Sequence, residues 1–432
     1  MSKRRLAVVI VACLDGWSGA SHAEGGEHLQ PLTAFVASTG QSNPDAREAT
    51  SIAEQRAAEV DVAWGRIVPA FTMRGAYTHN QFASEATLGP PGSPVVTITP
   101  QDQLDGTLTL DVPLIDIAAW RRVSAASSLS DAAAARASST RLDLKKSLAR
   151  QYFQLVGARA LGAAATRTVS AAEANLAIVV QRRDAGTGAD LDVERAAAEV
   201  ERSRQSVAEA RYLEALAARG LESASGLTPA TGEEGDAARA LADDLHEEAP
   251  LARWEQALAT PLINAAALET RAADQQSSAA RTALLPVLSG VAQERFTNAT
   301  GFSGKNASWS AGVALTWRFD YGTVATIRAQ DAGTRAAVAR EDRTRRTAHD
   351  RVHDDWQLIT TNIAKSRAAR SQATASEHAA RLAHDRFDSG RATQLEVVQA
   401  ERDAFSAVAS RIQSDADLAY ARAAIRADAA RE

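Results

Sequence analysis

The chain has 432 residues, of which 45% are hydrophobic but only 5% aromatic, and carries a formal net charge of −5. That balance argues against a nucleic-acid binder, which would carry a basic excess. No run of 18 or more apolar residues follows the N-terminus, which argues against a helical membrane span. Alanine is abundant, and small side chains at a seam predict helices that approach closely over thin, shared cores.

Residues 1–23 read as an export signal. Lys3, Arg4 and Arg5 form a positive start, Leu6 to Leu14 a short apolar stretch, and Ser21-His22-Ala23 places small residues ahead of a cleavage site. Cys13 is the only cysteine. Following Ile10-Val11-Ala12 it also resembles a bacterial lipobox, so cleavage before Cys13 and its acylation is the second reading. Under either reading no disulfide forms within the chain.

Residues 24–228 form a first unit. After an opening helix, Phe71, Met73 and Tyr77 alternate with Thr72, Arg74 and Thr78. Leu104, Leu108, Leu110, Val112 and Leu114 then alternate with Asp105, Thr107, Thr109 and Asp111. A period of two with unlike faces predicts strands, so about 69–115 reads as a β-hairpin whose tip is the turn-rich Leu88 to Pro94. No proline lies between Pro113 and Pro229. Proline costs about 3 kcal/mol inside a helix, so Ile117 to about Arg182 reads as one helix roughly 100 Å long at 1.5 Å per residue. A glycine break and a second helix, Leu191 to Ser225, complete a helical hairpin over about 117–225.

Residues 229–432 repeat the plan: a linker, a helix, a β-hairpin over about 286–319 and a helical hairpin over about 323–429. The cleanest strand is here, with Trp309, Ala311, Val313, Leu315, Trp317 and Phe319 alternating with Ser308, Ser310, Gly312, Ala314, Thr316 and Arg318. The segment Val287 to Phe296 alternates poorly. The two units also match residue by residue. Arg182-Arg183-Asp184-Ala185-Gly186 with Leu191-Asp192-Val193 recurs as Arg386-Phe387-Asp388-Ser389-Gly390 with Leu395-Glu396-Val397, an offset of 204 residues.

Strands of about ten residues with one apolar and one polar face suit a transmembrane β-barrel. Four cannot close one, since an open edge in lipid leaves backbone groups unpaired at several kcal/mol each. The chain is therefore expected to oligomerise through its strands. Two copies give eight strands and a filled bore, and three give twelve with room for a channel. The long helices, which must continue the same wall around a tunnel, favour three.

These residues resemble the bacterial outer-membrane efflux proteins of the TolC type. The likeness rests on Leu32-Thr33, Asn43-Pro44, Pro69 and Pro286, on Leu315-Thr316-Trp317-Arg318-Phe319-Asp320-Tyr321-Gly322, on Arg386-Phe387 with Gly390 and Leu395-Glu396-Val397-Val398 with Ala400, and on Asp417-Leu418-Ala419-Tyr420-Ala421. It implies an α+β membrane protein. Each protomer would give four transmembrane β-strands to a trimeric twelve-stranded β-barrel, joined to very long α-helices that form a periplasmic α-barrel tunnel. The role it implies is a passive duct in the outer membrane of a Gram-negative bacterium. That duct would work with a periplasmic adaptor (membrane fusion protein) and, through it, an inner-membrane transporter, with multidrug or small-molecule efflux foremost and type I protein secretion or metal efflux as alternatives.

By the same resemblance the turns after the long helices lie at the periplasmic end, where carboxylates ring a pinched aperture. Glu396 matches an aperture acid and Asp192 is its counterpart in the first unit. Asp388 and Arg391 belong to the same gate, Arg391 as a tie to Asp192, and Phe387 stands where the family can carry a tyrosine. The turn residues Gly186, Gly188, Gly390 and Thr393 are those an adaptor would meet. Trp309, Trp317, Phe319 and Tyr77 are the membrane-girdle aromatics. The plainer reading of the acids is that they favour helix N-termini through the macrodipole, and of Gly186 and Gly390 that they end helices at positive φ. His349 and His353 with Asp350 and Asp354 read as a charged solvated helix face. No metal site, cofactor or catalytic constellation is expected, so the chain does not read as an enzyme. The rival of another class is a soluble periplasmic coiled-coil adaptor or structural protein with a small β-domain.

Overall fold

The computed structural model describes residues 28–87, 89, 90, 93, 95–232, 236–256, 258–318 and 320–429. The export signal, Cys13 and Phe319 lie outside the described residues, as does much of the Leu88 to Pro94 link.

Two helices open the chain, α1 (Leu32–Ser42) and α2 (Pro44–Trp64). Asn43 joins them: its Oδ1 accepts from the Asp45 N–H at 2.9 Å as an N-cap, with Pro44 at the first helical position. Strand β1 (Ala70–His79) follows, then a short pair, β2 (Ser84–Thr87) and β3 (Val95–Thr99), then the long β4 (Asp102–Ile115). The β2–β3 ladder, which was not expected, flanks the Leu88 to Pro94 link on either side. Its second strand is Val-Val-Thr-Ile-Thr, a β-branched run that favours strand once the prolines at 90, 91 and 94 are past.

The two long helices begin and end in step. Helix α3 (Ile117–Asp184) and α8 (Tyr321–Asp388) each have 68 residues and start 204 residues apart. Both open on an aspartate N-cap: Asp116 accepts from Ala119 N–H and Asp320 from Thr323 N–H, each at 2.8 Å. The caps place the start of α8 at Tyr321, two residues before the expected Thr323. Each long helix turns back into a shorter one, α4 (Asp190–Ser225) and α9 (Gln394–Asp428). Between the repeats lie α5 (Asp236–Ala240), α6 (Leu251–Glu255) and α7 (Pro261–Thr282), and α7 packs against both α3 and α8. No described helix is long and apolar enough to cross a membrane.

Strands β5 (Val287–Thr297) and β6 (Ala307–Thr316) complete a four-stranded antiparallel sheet in the order β1-β4-β5-β6. The two hairpins thus meet at β4 and β5. Register sorts the faces. Met73, Leu108, Glu294 and Trp309 share one row, whereas Arg74, Thr107, Arg295 and Ser308 share the next. The weak alternation of β5 is explained by Glu294 on the apolar face and Val291 on the polar one, where its neighbours decide the pairing. Neither face of the outer strands is covered, since every residue of β1 and β6 is exposed, Met73 and Trp309 each to 77%, and β1 and β6 leave a free edge on either side.

The helical cores are thin and largely alanine, as close-approach seams require. One cluster centres on Phe35, Leu148, Leu155 and Leu221, and another on Trp254, Val352, Ile359, Leu418 and Ile425. The second holds down the linker between the repeats, which runs across α8 and α9 as a strap. Arg422 of α9, itself buried, binds Asp243 at 2.7 Å and Glu248 at 2.5 Å, and Trp356 Nε1–H donates to the Ala249 carbonyl at 3.0 Å.

A second buried cluster pins three helices together. Lys146 of α3 reaches Asp355 of α8 at 3.1 Å and Asp428 of α9 at 2.5 Å. Burial, added to by the hydrogen-bonded Asp428 beside it, pushes the Asp355 carboxyl up to about 7 against the pull of Lys146. Partial desolvation also raises the Asp143 carboxyl nearby, although that side chain stays exposed.

Two predictions follow from these clusters. Arg422→Met leaves Asp243 and Glu248 without their cation and should destabilise the fold by about 3 kcal/mol, read as a lowered denaturation midpoint in detergent. Folded Asp355 keeps its proton to about pH 7, whereas an unfolded carboxyl with the ordinary value of 3.8 has already released it. The folded state therefore binds more protons in that window, and this group's contribution to stability declines as pH rises from about 4 to about 7, by at most about 1.4 kcal/mol per pH unit. Asp355→Asn removes that decline, so melting curves should show the variant gaining on the wild type between pH 5 and pH 8.

Candidate functional site

The residues singled out in the sequence gather at two ends of the molecule. At one end the α3–α4 and α8–α9 turns lie against each other, although some 200 residues separate them. Both turns are built alike. Gly186 and Gly390 take φ of 75° and 72°. Thr187 N–H donates to the Arg182 carbonyl and Gly186 N–H to that of Arg183, and the second turn repeats this with Arg391 N–H to Arg386 and Gly390 N–H to Phe387. This paired bonding satisfies the last carbonyls of each helix, with glycine supplying the left-handed residue. Gly188 is needed for another reason: a Cβ there would meet the Arg183 backbone N at 2.9 Å.

The helices that leave the turns carry the candidate acids. Thr393 caps α9, its Oγ1 accepting from the Glu396 N–H at 3.3 Å, and its place three residues before Glu396 is the spacing of a capping box. Glu396 is exposed in the first turn of α9 and Asp192 half-buried in the first turn of α4, so both carboxylates sit at the positive end of a helix dipole. Asp192 lies 3.7 Å from Arg195 on its own helix.

The tie between the turns differs from the one expected. Arg391 was expected to reach Asp192, but within the chain the crossing residue is Arg182. Its guanidinium lies 4.1 Å from the centre of the Phe387 ring, donates to the Phe387 carbonyl at 3.2 Å and pairs with Asp388 at 3.2 Å. Phe387 is buried with Val179, Ala196 and Val397, so its ring serves the shared core of the two turns. A planar cation stacked on a ring while its edge binds a carbonyl and a carboxylate is a role that lysine would not fill. The sequence shows that Arg182 recurs as Arg386, but only the structure shows that Arg182 faces the Phe387 ring of the other turn.

Farther up the hairpins a further pair crosses the repeats. Arg402 of α9 binds the buried Glu199 of α4 through Nε at 2.7 Å and Nη2 at 2.5 Å. Beside it His384 Nε2 lies 2.8 Å from Glu401, whose carboxyl is raised by burial even against the histidine. Neither pair is visible in the sequence: the first spans 203 residues and the second crosses the α8–α9 turn over 17, and neither separation leaves a local pattern.

At the other end the sheet presents its apolar face. Tyr77 and Trp309 lie toward the hairpin tips, and Trp317, just past β6, lies toward the helices, where its Nε1–H donates to the Leu284 carbonyl at 2.9 Å. Trp64 and Trp120 meet edge to face nearby, with ring centres 5.4 Å apart. Aromatics thus flank an exposed band that includes Met73, Val313 and Leu315. Among the described residues one trio has metal-capable atoms within reach of each other, Asp243, Asp244 and His246. Arg422 already occupies it, with Nη1 2.9 Å from His246 Nε2 and Nη2 3.1 Å from Asp243, so the trio is spent on an internal cation.

Comparison with known proteins fits this geometry. "Outer membrane protein OprJ" of Pseudomonas aeruginosa is 29% identical over 286 residues, covering 63% of this chain, and the chain spans 57% of that relative's length. The Campylobacter jejuni CmeC outer membrane channel superposes with a TM-score of 0.77 at 16% identity, over 99% of this chain and 94% of that one. The Neisseria gonorrhoeae MtrE outer membrane channel, solved in its open state, gives 0.77 at 18% identity over 94% and 90%. At such identities the structures establish a shared fold. Because the model of the family described as "Outer membrane efflux protein" matches residues 37–227 and 255–429, which is most of the chain, the chain belongs to the outer membrane efflux protein family.

Proposed function

We propose that three copies of this chain join edge to edge into a closed twelve-stranded barrel, continued by a tunnel of their long helices, and that the assembly is the outer-membrane channel of a tripartite export system. The observation that carries this reading is the sheet: four strands, apolar on one face, polar on the other, with both outer strands unpartnered. In lipid such a sheet is stable only when its edges are closed by further copies. A soluble coiled-coil protein would leave the apolar band of Met73, Trp309, Val313 and Leu315 in water, which disfavours the rival reading.

The helices, about 100 Å long at 1.5 Å per residue, extend the polar bore into the periplasm. In this account the α3–α4 and α8–α9 turns form its far mouth. Three copies each of Glu396 and Asp192 would surround that mouth with negative charge and favour cations there. The Arg182 contacts to Phe387 and Asp388 would hold the two turns of each copy together, so that they move as one unit when the mouth widens. The same turns, with Gly186, Gly188, Gly390 and Thr393, are the surface a periplasmic adaptor would meet, and through it an inner-membrane transporter. Substrates would be small molecules chosen mainly by that transporter.

Planar-bilayer recording tests the duct. The purified protein should form channels that prefer cations. Glu396→Ala should shift the reversal potential toward anions and lower the single-channel conductance at low salt; channels unchanged by it would remove Glu396 from the mouth, and absence of channels would remove the duct. Val313→Arg, in the middle of the exposed face of β6, should cost about 2–4 kcal/mol of barrel stability in a bilayer. Fractionation should then show the variant lost from the outer membrane.

A further inference from the structure

Between the helical hairpins, beneath the strap, lies a cleft of about 880 Å³. It is walled by α3, α4, α8, α9 and, from the linker, by Thr231, Gly232, Asp236 and Leu241 to Asp243, and its volume falls in the range of small-molecule sites. Five arginines line it: Arg159, Arg167, Arg211, Arg370 and Arg411. Among the described residues four acids line it too, so charge alone would look nearly balanced.

The pairing shows that it is not. Each of the four acids is already engaged by another group. Glu214 binds Arg159 Nε at 2.9 Å. Asp236 is held by His28, by the Leu29 N–H and by Arg239. Asp243 binds Arg422, and Asp415 binds Arg370 and Ser366. The remaining cations, Arg167, Arg211 and Arg411, have no ion-pair or hydrogen-bond partner for their guanidinium groups among the described residues. Arg159 adds a buried Nη1 with no acceptor. Gly232, at φ +72°, folds the strap down over that atom: a Cβ there would stand 3.1 Å from it. Val207, Leu241 and Ile412 add apolar wall between the charges.

Three guanidinium groups without a partner face one cleft, Arg167 and Arg211 exposed and Arg411 half-buried, and forks of N–H donors are suited to bidentate carboxylate or phosphate oxygens. We propose that this cleft is a binding site for a small polyanion, a molecule bearing two or more carboxylate or phosphate groups. Bound there it would bridge α3, α4 and α9 beneath the strap and so stiffen the junction between the two repeats. The site lies within one chain and does not rest on the proposed assembly.

Isothermal titration of the full protein in detergent, at constant ionic strength, tests this with citrate in one arm and inorganic pyrophosphate in the other. At least one should bind saturably, near one molecule per chain, the arms separating a carboxylate from a phosphate preference. Arg167→Gln, Arg211→Gln and Arg411→Gln together should weaken that binding at least tenfold. The same change at Arg328, Arg340 and Arg346, exposed elsewhere on α8, should leave it unaltered. If the cleft triple melts below the wild type, Arg211→Gln alone should weaken binding at least threefold. Heat no greater than that of matched chloride, full affinity in the cleft variant, or equal loss in the control would overturn the proposal.

Discussion

An unpaired strand edge is the constraint on which the rest of this structure depends. Backbone N–H and C=O groups must be satisfied, and in hydrocarbon no water is available to satisfy them. The chain builds a four-stranded sheet with an apolar face and two such edges. Membership of the outer membrane efflux protein family fits the proposal that this face lies in the outer membrane, where the edges would have to find partners of their own kind. The same demand orders the interior: Asp116 and Asp320 satisfy the first N–H groups of the long helices, and the paired turns at Gly186 and Gly390 satisfy their last carbonyls.

The helical part follows another logic. Its cores are alanine seams with few large side chains, so hydrophobic burial per residue is modest. Charged groups join the layers at a few points instead. Lys146 between Asp355 and Asp428, Arg422 under the strap, Arg402 on Glu199 and Arg182 on Phe387 each connect segments far apart in sequence. Buried ion pairs contribute little net stability compared with apolar packing, but losing one partner is costly. Such pairs would suit the wall of the proposed tunnel, whose helices would have to keep register over a great length.

Much of this was legible in the sequence because it is periodic. Alternation over Trp309 to Trp317 marks a two-faced strand, the proline-free stretches mark the long helices, and the offset between Gly186 and Gly390 marks the duplication. The offset even extends to the aspartate caps, which were not singled out. Pairings with no local signature were not legible. Arg182 rather than Arg391 bridges the turns because Phe387, one repeat away, supplies the ring. The unmatched arginines of the cleft emerge only once each acid has been assigned its partner. The β2–β3 ladder was obscured by prolines that occupy its loop and not its strands. Closure of the proposed barrel would depend on other copies of the chain, so only the geometry of an incomplete sheet points to it.

The account therefore depends on how many chains complete the sheet. Native mass spectrometry of the protein extracted from outer membranes in mild detergent measures this directly. A single species of three chains, persisting as detergent is exchanged, is the predicted result. A single chain, a dimer, or an open-ended ladder of masses would contradict it, since none of these closes twelve strands around a channel.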